Sequence, residues 1–295
     1  VMMAGKVALV NGFGDVGNTI VPPVLGQWHV EPDHPRTFDI ELAKQKLDAA
    51  GYKLDGEGRR LDKEGKPISL RVFMPDTNDS DPKVAQFVKD WYGQLGVKVT
   101  TQVRDSATLG NIVLPPEAGK DYTANYDIEL WGWAGNPDPN ALLQIFKCDA
   151  IGSSSDSQYC NPEFDKMYDA QTAATTAAER KTILATMQNL IYDQAVYDIL
   201  YYDANLAAYR TDRFVGWQNQ PTANGTPLFS YGSINYTLLT DATAVPSPTP
   251  TVSSTPAPSP VPGSSATPAP TPVPSGSGGT GGGGGDNTAL YVGIL

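Results

Sequence analysis

Residues 126–139 carry the sequence YDIELWGWAGNPDP, which is typical of a strand that runs directly into a tight polar loop. Asp127 and Glu129 alternate with Ile128 and Leu130, so the alternation predicts one polar and one apolar face. Glycine, asparagine, aspartate and two prolines follow, and these residues end strands. The stretch predicts a strand of an α/β sheet with a functional loop at its carboxyl end.

The loop carries the first candidate binding residues. Trp131 and Trp133 are two residues apart, so an extended backbone places both indoles on the same side. Asn136 and Asp138 follow them at the carboxyl end of the strand, where open α/β sheets bind ligands. We expect these four residues to line a ligand crevice. The alternative is a core edge capped by tryptophan and followed by a polar turn.

The segment that precedes this strand predicts a βαβ unit. Residues 69–74 are strand-like, Asp81 and Pro82 are typical of a helix start, and Gly96 is placed to end that helix. Residues 97–103 alternate Val, Lys, Val and Thr as a second strand. Such a unit is expected to be parallel and right-handed.

Further helices are predicted on both sides of this unit. One spans residues 37–50, one begins at Asn161 and Pro162, and one covers about 176–193. Residues 196–202 then predict a strand in which Tyr197, Ile199 and Tyr201 share a face. Tyr201 and Tyr202 end this strand as candidate ligand contacts, and the alternative is that they only pack.

Composition divides the chain of 295 residues into a folded part and a tail. No charged residue occurs between Asp241 and Asp286, where Pro, Ser, Thr, Ala and then Gly dominate. Such a segment buries too little apolar surface to fold, so residues 241–285 are predicted to be a disordered linker after a folded part of 1–240. The net charge of −11 argues against a nucleic-acid partner.

The two cysteines, Cys148 and Cys160, lie close together among polar residues. This spacing predicts a disulfide that closes a surface loop, and it would indicate an oxidising compartment. The alternative is a pair of free thiols. A zinc site is not expected, because the only histidines are His29 and His34, far upstream.

The sequence contains no complete catalytic or cofactor-binding motif of the common types. Gly12, Gly14 and Gly17 match the spacing of a dinucleotide fingerprint, but Pro22 and Pro23 prevent the helix that the fingerprint requires. The chain has no G-x-S-x-G or H-E-x-x-H sequence and no lysine-containing phosphate loop. We therefore expect a binding protein without catalytic residues, cofactor or metal.

Several segments, taken in order, resemble the extracytoplasmic solute-binding proteins of peptide-type ABC transporters, the family 5 proteins that serve oligopeptides, dipeptides or nickel. The resemblance covers about residues 1–240. It is carried by DIELAKQKLDAAGY, GEGRRLDKEGKPISLRV, VKDWYGQLGVKV, YDIELWGWAGNPDPN, YCNPEFDKMYDAQ and AAERKTILATMQNLIYDQAVYDILYY. The match corresponds to the C-terminal portion of such a protein, without its N-terminal portion.

The resemblance implies a lobe of the periplasmic-binding-protein type II fold, with a mixed sheet flanked by helices. It implies a monomer that closes two lobes over a peptide or small molecule and delivers it to membrane permease subunits. Trp133 matches the tryptophan of the family's cleft, and Tyr201 and Tyr202 match its aromatic strand end. Asn136 stands nearest to the aspartate that pairs with the peptide amine in oligopeptide binders, and a neutral amide gives up that charge-assisted bond.

The end of the chain adds an expectation about localisation. Residues 286–295 become apolar from Ala289, and we interpret them as the start of a transmembrane helix, which needs about 20 apolar residues. The protein would then be extracytoplasmic and tethered to a membrane through this helix. A disordered tail is the alternative. A sensor or adhesion ectodomain on a stalk is the alternative to transport.

Overall fold

The computed structural model describes residues 14–114, 124–134, 137–204, 208–220, 223, 225–228, 233–242 and 289–293. A mixed sheet of six strands forms its centre. The strand order is β1 (Asp15–Val16), β5 (Asp198–Tyr202), β8 (Ala289–Gly293), β4 (Ile128–Ala134), β2 (Ser69–Pro75) and β3 (Lys98–Arg104). Helices pack on this sheet, so the predicted α/β class with a mixed sheet is confirmed.

The helices lie close to where the sequence signals place them. They are α1 (Ile40–Ala49), α2 (Asp81–Gln94), α3 (Ser106–Val113), α4 (Asn140–Leu143), α5 (Pro162–Ala173), α6 (Ala177–Asp193) and α7 (Ile234–Leu238). Short 3₁₀ helices cover Pro23–Trp28, Gln144–Phe146 and Cys148–Ala150, and β6 (Phe214–Val215) pairs with β7 (Thr240–Asp241). Side chains cap several of these helices. Asn161 accepts from the Glu163 N–H at 3.0 Å at the start of α5.

The βαβ prediction is confirmed. β2 and β3 are parallel, with Ser69 opposite Lys98, and α2 connects them. β4 is also parallel to β2, with Val72 opposite Ile128. The carboxyl ends of β2, β3 and β4 therefore meet at one edge of the sheet, and the loop after β4 begins there.

Side chains from successive strand residues divide between two faces of the sheet. On one face, Ile128 and Leu130 pack with α2. On the other face, Trp131 packs near α3, and Trp133 packs against the cluster that contains α5 and α6 residues. Both faces are covered, which is the usual condition of parallel strands. This arrangement corrects one expectation, because Glu129 does not lie on a solvent face and is fully buried.

The glycine-rich N-terminal segment has a structural explanation. β1 pairs antiparallel with β5, and Gly17 approaches it so closely that a Cβ there would lie 2.2 Å from the Ile199 carbonyl oxygen. Gly14 has φ +80° and lies against Tyr202 in the same way. The described part of this segment begins at residue 14, and its glycines allow close backbone packing beside β1.

Residues 289–293, which we predicted to begin a membrane-spanning helix, form β8 instead. This strand runs antiparallel to both neighbours, with Gly293 opposite Leu130 and Val292 opposite Ile199. A strand in this place satisfies backbone groups of β4 and β5 that would otherwise be unpaired. Among the described residues, no helix has the length and apolar character needed to cross a bilayer. Of the predicted linker, only residues 241 and 242 are described.

Candidate functional site

The tryptophan pair, Trp131 and Trp133, lies at the carboxyl end of β4 on the same side of the strand. The two ring centroids are 6.4 Å apart and the planes meet at 64°. Both side chains are partly exposed. The arrangement presents two aromatic rings at the sheet edge, as the sequence predicted.

Trp133 is held by a buried carboxylate that sequence reasoning missed. Its indole Nε1–H donates to Asp156 Oδ2 at 2.7 Å. The Tyr197 hydroxyl donates to the other oxygen, Oδ1, and the Tyr126 hydroxyl donates to the Asp156 carbonyl. Asp156 is fully buried. Burial raises the pKa of Asp156, whereas the hydrogen bonds from Tyr197 and Trp133 oppose that rise.

Glu129 is a second buried carboxyl group near Asp156. Burial raises its pKa well above the usual range, and the charge of Asp156 raises it further. Neither Glu129 oxygen has a hydrogen-bond partner among the described residues. Trp131 Nε1 and Ser155 Oγ are also buried without partners in this part of the chain. Glu129, Trp131 and Ser155 thus each carry a buried polar atom that no described residue satisfies, which is uncommon in native structures.

Asp138 has a different environment from the one predicted. Arg180 of α6 donates two hydrogen bonds to its carboxylate, at 2.7 and 2.8 Å. The same guanidinium donates to Gln171 and lies 5.1 Å from the centre of the Trp28 ring. The Arg180 hydrogen bond is the largest cause of the lowered pKa of Asp138, and the Asn140 N–H, which donates to the same carboxylate, lowers it further. Asp138 therefore anchors the loop after β4 to α6.

The two tyrosines at the end of β5 are both buried and lie on opposite faces. A register shift between Ile199 and Tyr201 interrupts the alternation of β5. Tyr201 consequently packs with the α2 cluster, and Tyr197 and Ile199 stay in the other cluster, so these three residues do not share a face. The Tyr202 hydroxyl donates to Thr19 and Asn18 oxygens at 2.5 Å.

The remaining predicted site residues divide into two groups. Cys148 and Cys160 form the predicted disulfide. Asn136 lies outside the described residues. The structure brings Trp131 and Trp133 together with Asp156, Tyr197 and Glu129, which the sequence did not single out. The sequence did contain a signal for Glu129. Parallel strands are usually covered on both faces, so a glutamate within such a strand is expected to be buried.

Comparison with known proteins identifies the family. The model of the bacterial extracellular solute-binding proteins, family 5 Middle, matches residues 6–153, half of the chain. The oligopeptide-binding protein OppA of Bacillus subtilis is 28% identical over 129 residues, which are 43% of this chain and 22% of OppA. The peptide transport periplasmic protein SapA of Salmonella typhimurium is 27% identical over 157 residues, 49% of this chain and 26% of SapA.

Solved structures share the fold. The oligopeptide-binding protein AppA of Bacillus subtilis, in complex with a nonapeptide, matches with a TM-score of 0.61 and 22% identity, over 71% of this chain and 42% of AppA. DppA of Helicobacter pylori, in complex with the peptide STSA, matches with a TM-score of 0.60 and 19% identity, over 82% of this chain and 42% of DppA. These matches confirm the periplasmic-binding-protein type II architecture.

The chain thus spans about a quarter of the length of these curated relatives and about two fifths of the solved structures. Partial coverage agrees with the predicted correspondence to a portion of such a protein. With the family model matching half of the chain, this protein belongs to the bacterial extracellular solute-binding proteins of family 5.

Proposed function

We propose that this chain is part of the extracytoplasmic substrate-binding component of an ABC importer. In this proposal the complete protein, as a monomer, encloses a peptide or similar small solute between two lobes and delivers it to membrane permease subunits. The tryptophan pair forms one wall of the cleft. The observation that carries the proposal is the Trp133 indole, which is held by Asp156 at the carboxyl end of a parallel strand.

Peptides are the ligand class favoured by the relatives. The curated relatives are named as oligopeptide-binding and peptide transport proteins, and two solved neighbours hold a nonapeptide and the peptide STSA. An aromatic wall suits such ligands, because indole faces contact backbone and side chains of many sequences at low entropy cost.

The experiment is a binding assay on the protein expressed from its complete reading frame. A tryptic digest of casein is passed over the immobilised protein, and retained peptides are identified by mass spectrometry and remeasured by calorimetry. Trp133→Ala should weaken binding of the retained peptide by about tenfold or more, equivalent to about 1.4 kcal/mol, because an aromatic contact is lost.

Trp91→Ala is the matched control. Trp91 lies on α2 and packs with Phe38 and Phe87, with ring centroids 5.1 and 5.7 Å away. Its removal should leave affinity unchanged. Retention of no peptide, or equal affinity for wild type and W133A, would reject the proposed function. For the delivery step, deletion of the gene should abolish cellular uptake of the retained peptide.

A further inference from the structure

We infer that Asp156 is the positioning residue of Trp133, and that the disulfide loop, residues 148–160, holds Asp156 in that role. The inference deepens the proposed function, since it concerns the wall on which that function rests. Its test is made without any ligand, so the two can fail separately.

The first step is the use of both Asp156 carboxylate oxygens by different elements. Trp133 donates from β4 to Oδ2, and Tyr197 donates from the residue before β5 to Oδ1. β4 and β5 are not direct neighbours in the sheet, because β8 lies between them. Asp156 therefore links two strands that the backbone ladder does not join directly.

The second step is the contrast within the tryptophan pair. An indole has one N–H donor, and a buried N–H requires an acceptor to fix the ring orientation. Trp133 has that acceptor in Asp156, whereas Trp131 Nε1 is buried without one among the described residues. The orientation of Trp133 is thus specified by a hydrogen bond, and that of Trp131 by packing alone.

The third step concerns how Asp156 is kept in place. It lies in a segment of turns that carries no helix or strand between Ala150 and Pro162. The disulfide joins the two ends of this segment, Cys148 and Cys160. Tyr126 donates to the Asp156 carbonyl and fixes the loop backbone against the residues before β4. Tyr159 also packs against Phe146 and Phe164, and the remaining contacts of the segment are hydrogen bonds, so removal of the disulfide would take away the covalent link between its ends.

The test is nuclear magnetic resonance of the ¹⁵N-labelled chain, which contains five tryptophans. Trp133→Phe identifies the Trp133 indole signal. Asp156→Ala should shift this signal upfield and speed its exchange with solvent by about tenfold or more, while the four other indole signals stay in place. Asp156→Asn keeps an acceptor oxygen and should restore much of the protection.

The disulfide is tested by Cys148→Ala combined with Cys160→Ala, which leaves Asp156 intact. This variant should also speed exchange of the Trp133 indole selectively. An unchanged Trp133 signal in D156A or in the double variant would overturn the inference. If D156A fails to fold, the Trp133 signals of D156N and of the double cysteine variant test the inference instead. An aspartate that only stabilises the fold predicts that all indole signals are lost together. Selective loss without peptide binding by the complete protein would reject only the proposed function.

Discussion

Two fully buried ionisable residues, Arg60 and Glu129, have opposite environments. Arg60 donates from Nη1 to Asp48 Oδ1 at 2.5 Å and to the Tyr52 carbonyl at 2.7 Å, and from Nε to the Leu95 carbonyl at 2.9 Å. It thereby joins the C-terminal ends of α1 and α2. Glu129 has no hydrogen-bond partner among the described residues.

The difference lies in how each buried group is satisfied. Removing a partner from a well-bonded buried charge is strongly destabilising, whereas a buried polar group without partners reduces stability by itself. Such a loss of stability is tolerated mainly at binding sites, where the residue has a role other than packing. Asp81 lies between these extremes, since one of its oxygens accepts from Asn78 at 2.7 Å and the other has no partner in the part of the chain that the structure describes. This series gives three predictions.

The largest effect is expected for Arg60→Ala. The change leaves the Tyr52 and Leu95 carbonyls without their donor and removes a large buried side chain, so the free energy of unfolding should fall by about 3 kcal/mol. Urea denaturation measures it. The neighbouring Arg59→Ala is the control, because Arg59 is exposed and pairs with the half-buried Asp55 and the exposed Glu57, and its midpoint should move much less. An equal loss of unfolding free energy in both variants would contradict the structural role assigned to Arg60.

Asp81→Asn should have an intermediate effect with the opposite sign. Desolvation raises the pKa of Asp81 to about 7, and the Asn78 hydrogen bond opposes this rise. The wild type is therefore most stable below the unfolded pKa of about 4, and stability falls as pH rises through about 7.

At about pH 8 the Asn variant should be more stable by about 2 kcal/mol, because it carries no charge to desolvate. At about pH 4 the advantage should vanish. Thermal unfolding across this pH range measures both values. Asp79→Asn, on the same loop and exposed, is the control and should show no such crossing. A constant difference at every pH would show that Asp81 is not desolvated.

The smallest effect is expected for Glu129→Met. Burial raises the pKa of Glu129 well above its usual range, which favours the neutral acid, and the substitution removes two buried carboxyl oxygens that have no hydrogen-bond partner among the described residues. The variant should gain about 1 kcal/mol near neutral pH. The gain should grow as pH rises from the unfolded pKa of about 4 toward the raised folded pKa, because the folded wild type then keeps a proton that the unfolded chain has released, and it should level off above the folded pKa.

Glu129→Gln separates shape from charge. It should match wild type at low pH and exceed it in stability at high pH, as measured by urea midpoints. Destabilisation of E129M at every pH would contradict the claim that Glu129 lacks partners. The peptide affinity of both variants then shows whether the unsatisfied carboxyl serves binding.

Local sequence signals predicted the elements well. Asp81 and Pro82 start α2, Asn161 caps α5, and Gly96 with φ +83° follows α2, each as expected from residue-level chemistry. The disulfide followed from two cysteines close in sequence. These features depend on neighbours along the chain, so no knowledge of the fold was needed.

The predictions that failed depended on contacts across the sheet. Tyr201 was assigned to the wrong face, because a bulge in β5 cannot be read from alternation. An apolar segment such as residues 289–293 fits either a membrane helix or a strand. Only the position between β4 and β5 in the sheet distinguishes the two cases. The rejection of a phosphate loop at Gly14 and Gly17 rested on Pro22 and Pro23, and the structure adds the close approach of both glycines to β5.

The sequence by itself determined the α/β class, the βαβ unit, the tryptophan pair and the family resemblance, because caps, periodicity and spacing act over a few residues. Only the tertiary structure decided that Asp156 binds the Trp133 indole, that Arg180 pairs with Asp138, and that Glu129 is buried with no partner among the residues described. Trp133 and Asp156 are 23 positions apart in the sequence, and Asp138 and Arg180 are 42 positions apart. Desolvation and hydrogen bonding act through space, and the chain order does not encode such distances directly.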